Sequence, residues 1–171
     1  LKHDINTLVD DLFDAKEYGS ILNIHNVDFD ALYSRFEEIE IDVNMYSYPV
    51  MNDLLPFVQV AQVMAQEYEI VITNPPYLVV SNANAKLYDF VNKNYPDSKA
   101  DLFAVFIERC NKMLSKNGIQ SMITMHSWMF LASFEQLRNK LLGQTIVNMI
   151  HLGARAFEEI GGEVVQTTGF A

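Results

Sequence analysis

Cysteine is nearly missing from this 171-residue chain, with Cys110 its sole representative. A single thiol excludes an internal disulfide and suits a reducing cytosol. Its place in an apolar helical pattern marks it as a small core residue rather than a nucleophile. No apolar run approaches the roughly 20 residues that a membrane-spanning helix needs. The N-terminus lacks the basic-then-apolar order of a secretory signal. A cytoplasmic location away from membranes is the expectation. Basic charge is scarce too: 12 Lys and Arg stand against 22 Asp and Glu, giving a formal net charge of −10. Gripping a phosphate backbone takes clustered Lys and Arg, so most of any nucleic-acid grip must come from elsewhere. Metal chemistry is also poorly provided for. His-x-x-x-His and carboxylate pairs at ligand spacing are absent, and the four histidines read as polar residues satisfied within the fold. No internal repeat or low-complexity tract appears.

What is present suits an ordered domain. Half the residues are hydrophobic and aromatics are plentiful, which excludes a disordered chain. The length suffices for one domain with a sizeable core. The chain opens on Leu1 and closes inside or just after the strand-like run Glu163–Ala171, so a piece of a longer polypeptide is expected.

Residues 1–67 read as mainly helical. Leu8, Leu12 and Phe13, then Phe29, Leu32, Tyr33 and Phe36, recur at helical spacing. A third run, Leu54–Met64, carries Pro56 in its first turn, where proline is tolerated. Acidic or turn-rich links, Glu37–Glu40 and Tyr46–Pro49, separate these runs, and the charge run reads as a solvated face. From residue 68 the pattern changes to strand, helix, strand. Tyr68–Thr73 reads as a buried strand and Lys86–Asn94 as a short helix. Asp101 is placed to cap a stronger helix burying Leu102, Phe103, Phe106, Ile107, Cys110, Met113 and Leu114. Lys116-Asn117-Gly118 supplies its C-terminal signal. Ile119–Met125 follows as a strand, Ser133–Gln136 as a capping box for a helix reaching Leu142, and Thr145–Ile150 and Glu163–Phe170 as two further strands. Such alternation predicts an α/β fold with a parallel, doubly wound sheet binding ligands beyond the strand carboxyl ends.

The most informative stretch is Asn74-Pro75-Pro76-Tyr77, directly after the strand Tyr68–Thr73. Asn-Pro commonly does no more than start a turn. Here two prolines fix their φ angles and withhold N–H donors, leaving carbonyl oxygens free to accept in a loop that barely moves. An amide side chain before them and an aromatic ring after them suit the gripping of a planar amino group.

Taken in order, Tyr68–Tyr77, Asp101–Glu108, Leu114–Ile119, His151–Phe157 and Gly162–Thr168 closely resemble the catalytic half of S-adenosylmethionine-dependent DNA adenine-N6 methyltransferases, nearest the large restriction-associated (type IIG-like) and phage-exclusion (BREX, PglX-type) enzymes. The resemblance is strongest over residues 68–171. It implies a partial Rossmann-like methyltransferase sheet, S-adenosylmethionine as cofactor, and double-stranded DNA and other defence-system subunits as partners of the full-length protein. It gives Asn74 and Pro75 the role of accepting the amino hydrogens and Pro76 that of stiffening the loop, and it has Tyr77 stack on a base swung out of the duplex. Phe157 falls where the family places a second aromatic facing that base; the other reading is a core phenylalanine in a loop between strands. Phe106 falls where the family lines the cofactor, although its periodicity also fits core packing. Trp128 either walls the cleft or packs in the core. Asp53 and Asp89 have nothing in their spacing to set them apart from caps and surface acids.

The match departs from the family in two respects, and the chain is expected to start after the cofactor-binding half and to stop before any target-recognition domain. The seven glycines include no Gly-x-Gly, and the acidic residue expected to hold the cofactor ribose is missing. The chain alone is therefore expected to bind S-adenosylmethionine weakly or not at all. Two other classes share parts of the pattern. One comprises amino-group methyltransferases acting on protein glutamine or ribosomal RNA; the other is a non-catalytic methyltransferase-like module.

Overall fold

The computed structural model describes residues 1–41, 47–153 and 166–171, in two compact units, Leu1–Gln66 and Glu67–Ala171. The first is helical: α1 (Lys2–Asp11), α2 (Ala15–Tyr18), α3 (Phe29–Ile41) and α4 (Ser47–Ala65). Asp28 starts α3 by accepting from the Ala31 amide at 2.9 Å, satisfying one of the donors a helix N-terminus leaves unpaired. Leu8, Phe29, Leu32, Phe36, Val58 and Ala61 form this unit's core. Their spacing along each helix places them on one stripe.

Three expectations change here. Glu37–Glu40 is the last part of α3 rather than a link, with Glu37, Glu38 and Glu40 exposed. Helix α4 begins at Ser47, so Pro49 occupies the first turn and Pro56 lies in the interior. An interior proline removes one hydrogen bond and crowds the preceding turn; the apolar stripe carrying Val58 and Ala61 keeps the helix continuous across it. Phe13 lies beyond the end of α1 and is exposed.

Among its described residues the second unit is a four-stranded sheet with helices: β1 (Tyr68–Thr73), α5 (Ala85–Asn94), α6 (Leu102–Lys112), β2 (Leu114–Met125), α7 (Glu135–Leu142), β3 (Met149–Gly153) and β4 (Thr167–Phe170). Strand order is β1-β2-β4-β3. Thr73 pairs with Met122 in a parallel ladder, and Met122 with Phe170 and Phe170 with Met149 in antiparallel ones. The sheet is therefore mixed, which corrects the expected all-parallel arrangement. Strand–helix alternation does dictate β1 beside β2 through α5 and α6. An antiparallel neighbour needs no crossover helix, and β4 enters the sheet that way.

Side chains alternate across these ladders. Val71, Met122 and Phe170 face Phe103, Ala104, Ile107, Trp128, Phe134, Leu137 and Leu141, the core of this unit. The opposite face presents Ile70, Ile72, Ile119, Ile123 and Ile150, all exposed. Strand β1 is thus only half-buried, on one face, although its Ile-Val-Ile run reads as a strand covered on both.

Helix α6 keeps the predicted cap, with Asp101 accepting from the Phe103 amide. It ends at Lys112, however, and Leu114 opens β2. Lys116-Asn117-Gly118 sits inside β2, where the register slips: Tyr68 pairs with Leu114, yet Ile70 pairs with Ile119. Gly118 is needed there for close approach. A Cβ on it would lie 2.8 Å from the Tyr68 carbonyl oxygen. Helix α7 does end at Leu142, but its N-terminus carries no side-chain cap and is entered through a 3₁₀ turn at Ala132–Phe134 instead of the capping box. Strand β3 starts at Met149, four residues later than expected, and β4 is described from Thr167.

Candidate active site

The ladder of β1 ends at Thr73, and the chain leaves the sheet at its carboxyl edge through Asn74-Pro75-Pro76-Tyr77. Asn74 and Pro76 are exposed, Pro75 is buried and Tyr77 is half-buried. A buried proline between two exposed residues fixes the loop to the protein while leaving the amide outside. Proline's locked φ then limits how far Asn74 can swing.

Tyr77 is held from two sides. Its ring meets Phe103 of α6 edge-on, centroids 6.1 Å apart and planes at 85°, a favoured aromatic geometry. Its hydroxyl donates to the Ile123 carbonyl oxygen of β2 across 3.4 Å. Partial burial, and secondarily the Asp101 charge, pushes the phenol above its usual 10.0, so the ring stays neutral at physiological pH. A neutral aromatic ring at the sheet's carboxyl edge has the chemistry to stack on a flat ring.

Asp101 itself is buried, with 6 % of its surface exposed. Burial raises its carboxyl above the usual carboxylate range, and the backbone amides of Phe103, Leu78 and Leu102 oppose that rise by favouring the charged form.

The carboxyl end of β2 contributes a second cluster. His126 Nδ1 lies 3.0 Å from His151 Nε2 of β3, with the rings stacked at 18° and Phe130 edge-on to His126. The His126 amide donates to the Gln166 carbonyl oxygen. Residues 25 apart in sequence give no local signal of this pairing; only the strand register brings them together. Trp128 belongs to the core: it is buried, donates through Nε1 to Thr124 Oγ1 at 3.1 Å and meets Phe170 edge-on. Arg138 of α7 holds the same turn by donating to the Trp128 and Leu131 carbonyl oxygens.

Phe106 is partly buried and packs against the sheet core. Asp53 and Asp89 are exposed. Phe157 lies outside the described residues. The structure thus gathers Asn74, Pro75, Pro76 and Tyr77 at one edge, packs Phe106 one helical turn from Phe103, and leaves the two aspartates at the surface.

Comparison with known proteins gives a consistent picture. Residues 7–157 match the family model described as Eco57I restriction-modification methylase. The chain is 41% identical over 160 residues to adenine-specific methyltransferase BrxX of Escherichia coli O9:H4 (strain HS), covering 91% of this chain and 13% of that protein. It is 42% identical over 162 residues to adenine-specific methyltransferase PglX of Lacticaseibacillus casei (strain Zhang), covering 91% of this chain and 14% of that one. The chain therefore spans about one-seventh of the length of these relatives.

Proposed function

The chain belongs to the Eco57I restriction-modification methylase family, and from that premise we propose that it carries the amino-group-gripping part of an enzyme that methylates adenine N6 in DNA, in phage defence or restriction-modification. The observation that carries this reading is the Asn74–Tyr77 loop at the carboxyl edge of β1, with its amide exposed, its first proline buried and its aromatic ring braced. We read the mixed sheet as part of a Rossmann-like methyltransferase sheet, residues 68–171 as its catalytic half, and residues 1–67 as a helical region preceding the catalytic strand. A DNA substrate places the enzyme in the cytoplasm.

An exocyclic adenine nitrogen is a weak nucleophile because its lone pair is delocalised into the ring. In this reading Asn74 Oδ1 accepts one amino hydrogen and the Pro75 carbonyl oxygen the other. Accepting both draws the nitrogen towards a pyramidal shape and returns the lone pair to it. An amide does this without carrying charge. Positioning and preorganised dipoles supply the catalysis. Tyr77 holds the extruded base by stacking, and Phe157 is its second aromatic contact. S-adenosylmethionine supplies a methyl group already activated on sulfur. Among the described residues Phe106 alone is assigned to it, and Phe106 is partly buried against the core. The described residues therefore do not fit as a complete cofactor cradle, and no step depends on one.

Asn74→Ala in the full-length protein tests the assignment. Loss of one preorganised acceptor raises the barrier by about 2.7–4 kcal/mol, roughly 10²–10³ in rate, with circular dichroism and thermal midpoint unchanged. N6-methyladenine is counted by mass spectrometry of digested substrate DNA. Near-normal methylation by the variant removes Asn74 from the mechanism.

A further inference from the structure

We infer that Asp101 is a positioning residue for the Asn74–Tyr77 loop, and that the carboxylate capping α6 is also the pin that sets the exit of this loop. The inference rests on the methyltransferase reading for its consequence, but on geometry alone for the pin.

One oxygen, Asp101 Oδ1, accepts from two amides at once. The Phe103 amide, 3.3 Å away, belongs to the first turn of α6; the Leu78 amide, 3.0 Å away, belongs to the residue directly after Tyr77. The connection is doubled by backbone bonds. The Leu102 amide donates to the Leu78 carbonyl oxygen at 2.9 Å, Val80 donates to the Ala100 carbonyl oxygen at 3.2 Å, and Val79 and Asp101 form an antiparallel bridge. The loop is therefore tied to residues 100–103 across a sequence gap of twenty or more. Tyr77 stands between two fixed points, the buried Pro75 and the pinned Leu78, and its ring rests on Phe103, whose own amide shares the same carboxylate oxygen.

A helix cap does not require this arrangement. Serine caps a helix about as well as aspartate, but its hydroxyl ends one bond short of the position that reaches Leu78. Asparagine keeps the oxygen where it is and removes only the charge. The two substitutions thus separate capping from pinning. Asp101→Ser retains the cap and loses the pin; Asp101→Asn retains both.

In the full-length protein, Asp101→Ser should speed hydrogen exchange of the Leu78 amide. It should also lower kcat on DNA by on the order of tenfold to a hundredfold, the size of effect expected from small misplacement of reacting groups, while leaving the thermal midpoint close to that of the parent. A 2-aminopurine base at the target position reports extrusion, and its fluorescence should fall in the serine variant. Asp101→Asn should recover slow exchange, most of kcat and the fluorescence. Unchanged Leu78 exchange in Asp101→Ser overturns the pin. Faster exchange with unchanged kcat and fluorescence overturns its consequence for the reaction. If the parent protein methylates no adenine, the methyltransferase reading fails, and Leu78 exchange still decides whether the pin exists.

Discussion

At the scale of the residue, Asp101 joins two demands that conflict. Its bonds to Leu78 and Phe103 favour an ionised oxygen, whereas burial disfavours charge, and burial dominates. A carboxyl whose folded pKa is raised stabilises the protein most below its unfolded value of 3.8, and this contribution is lost as pH rises through the folded value. Asparagine mimics the protonated form and carries no such dependence. The thermal midpoint of Asp101→Asn should therefore exceed that of the parent at pH 7, and the gap should close as pH falls through the folded pKa towards 3.8. Calorimetry of both proteins across that range gives the difference directly; a gap that widens on acidification contradicts the assignment. The cap was legible in sequence, since an aspartate preceding an apolar helical run is a local signal. Its bond to Leu78 was not, because it spans 23 residues. The His126–His151 pair escaped for the same reason, whereas Asn74–Tyr77 was visible because all four residues are contiguous.

At the scale of the element, hydrophobic period accounts for α5, α6, α7 and the first two strands, and the structure differs from it at their boundaries. Gly118 shows why. A glycine after Lys-Asn at the end of an apolar helix carries the local signature of a helix terminus. The structure uses it for a different purpose, the passage of β2 beneath the Tyr68 carbonyl where the two strands lose register. Both uses require a residue without Cβ, so composition alone does not separate them. Gly118→Ala distinguishes them by cost. Its methyl group would lie 2.8 Å from the Tyr68 oxygen, 3.1 Å from Leu114 Cδ2 and 3.2 Å from the Glu69 oxygen. Two of these neighbours are backbone and cannot rotate away, so overpacking of about 1–3 kcal/mol is expected. Urea unfolding should show that loss; a stability equal to the parent's would mean that β2 does not approach β1 so closely.

At the scale of the whole molecule, charge is distributed unevenly between the two units. Residues 1–66 carry three Lys and Arg against twelve Asp and Glu, a net of −9, whereas residues 67–171 carry nine against ten, a net of −1. The unit that contains the Asn74–Tyr77 loop is thus close to neutral, and the acidity belongs to residues 1–66. A near-neutral surface can lie against a phosphate backbone without strong repulsion but releases few counterions, whereas a surface at −9 is repelled. A protein making 6–10 phosphate contacts loses about 10³–10⁵ in affinity between 50 and 200 mM salt. For the 171-residue chain, fluorescence anisotropy with a labelled duplex should instead show weak binding that changes by less than about tenfold over the same interval. Were the loss to reach the thousandfold range, the few cations of residues 67–171 would have to act as a concentrated patch, and the chain itself would supply the grip on DNA. With the weaker dependence, the proposed handling of a base by this loop would need groups outside residues 1–171 to hold the duplex.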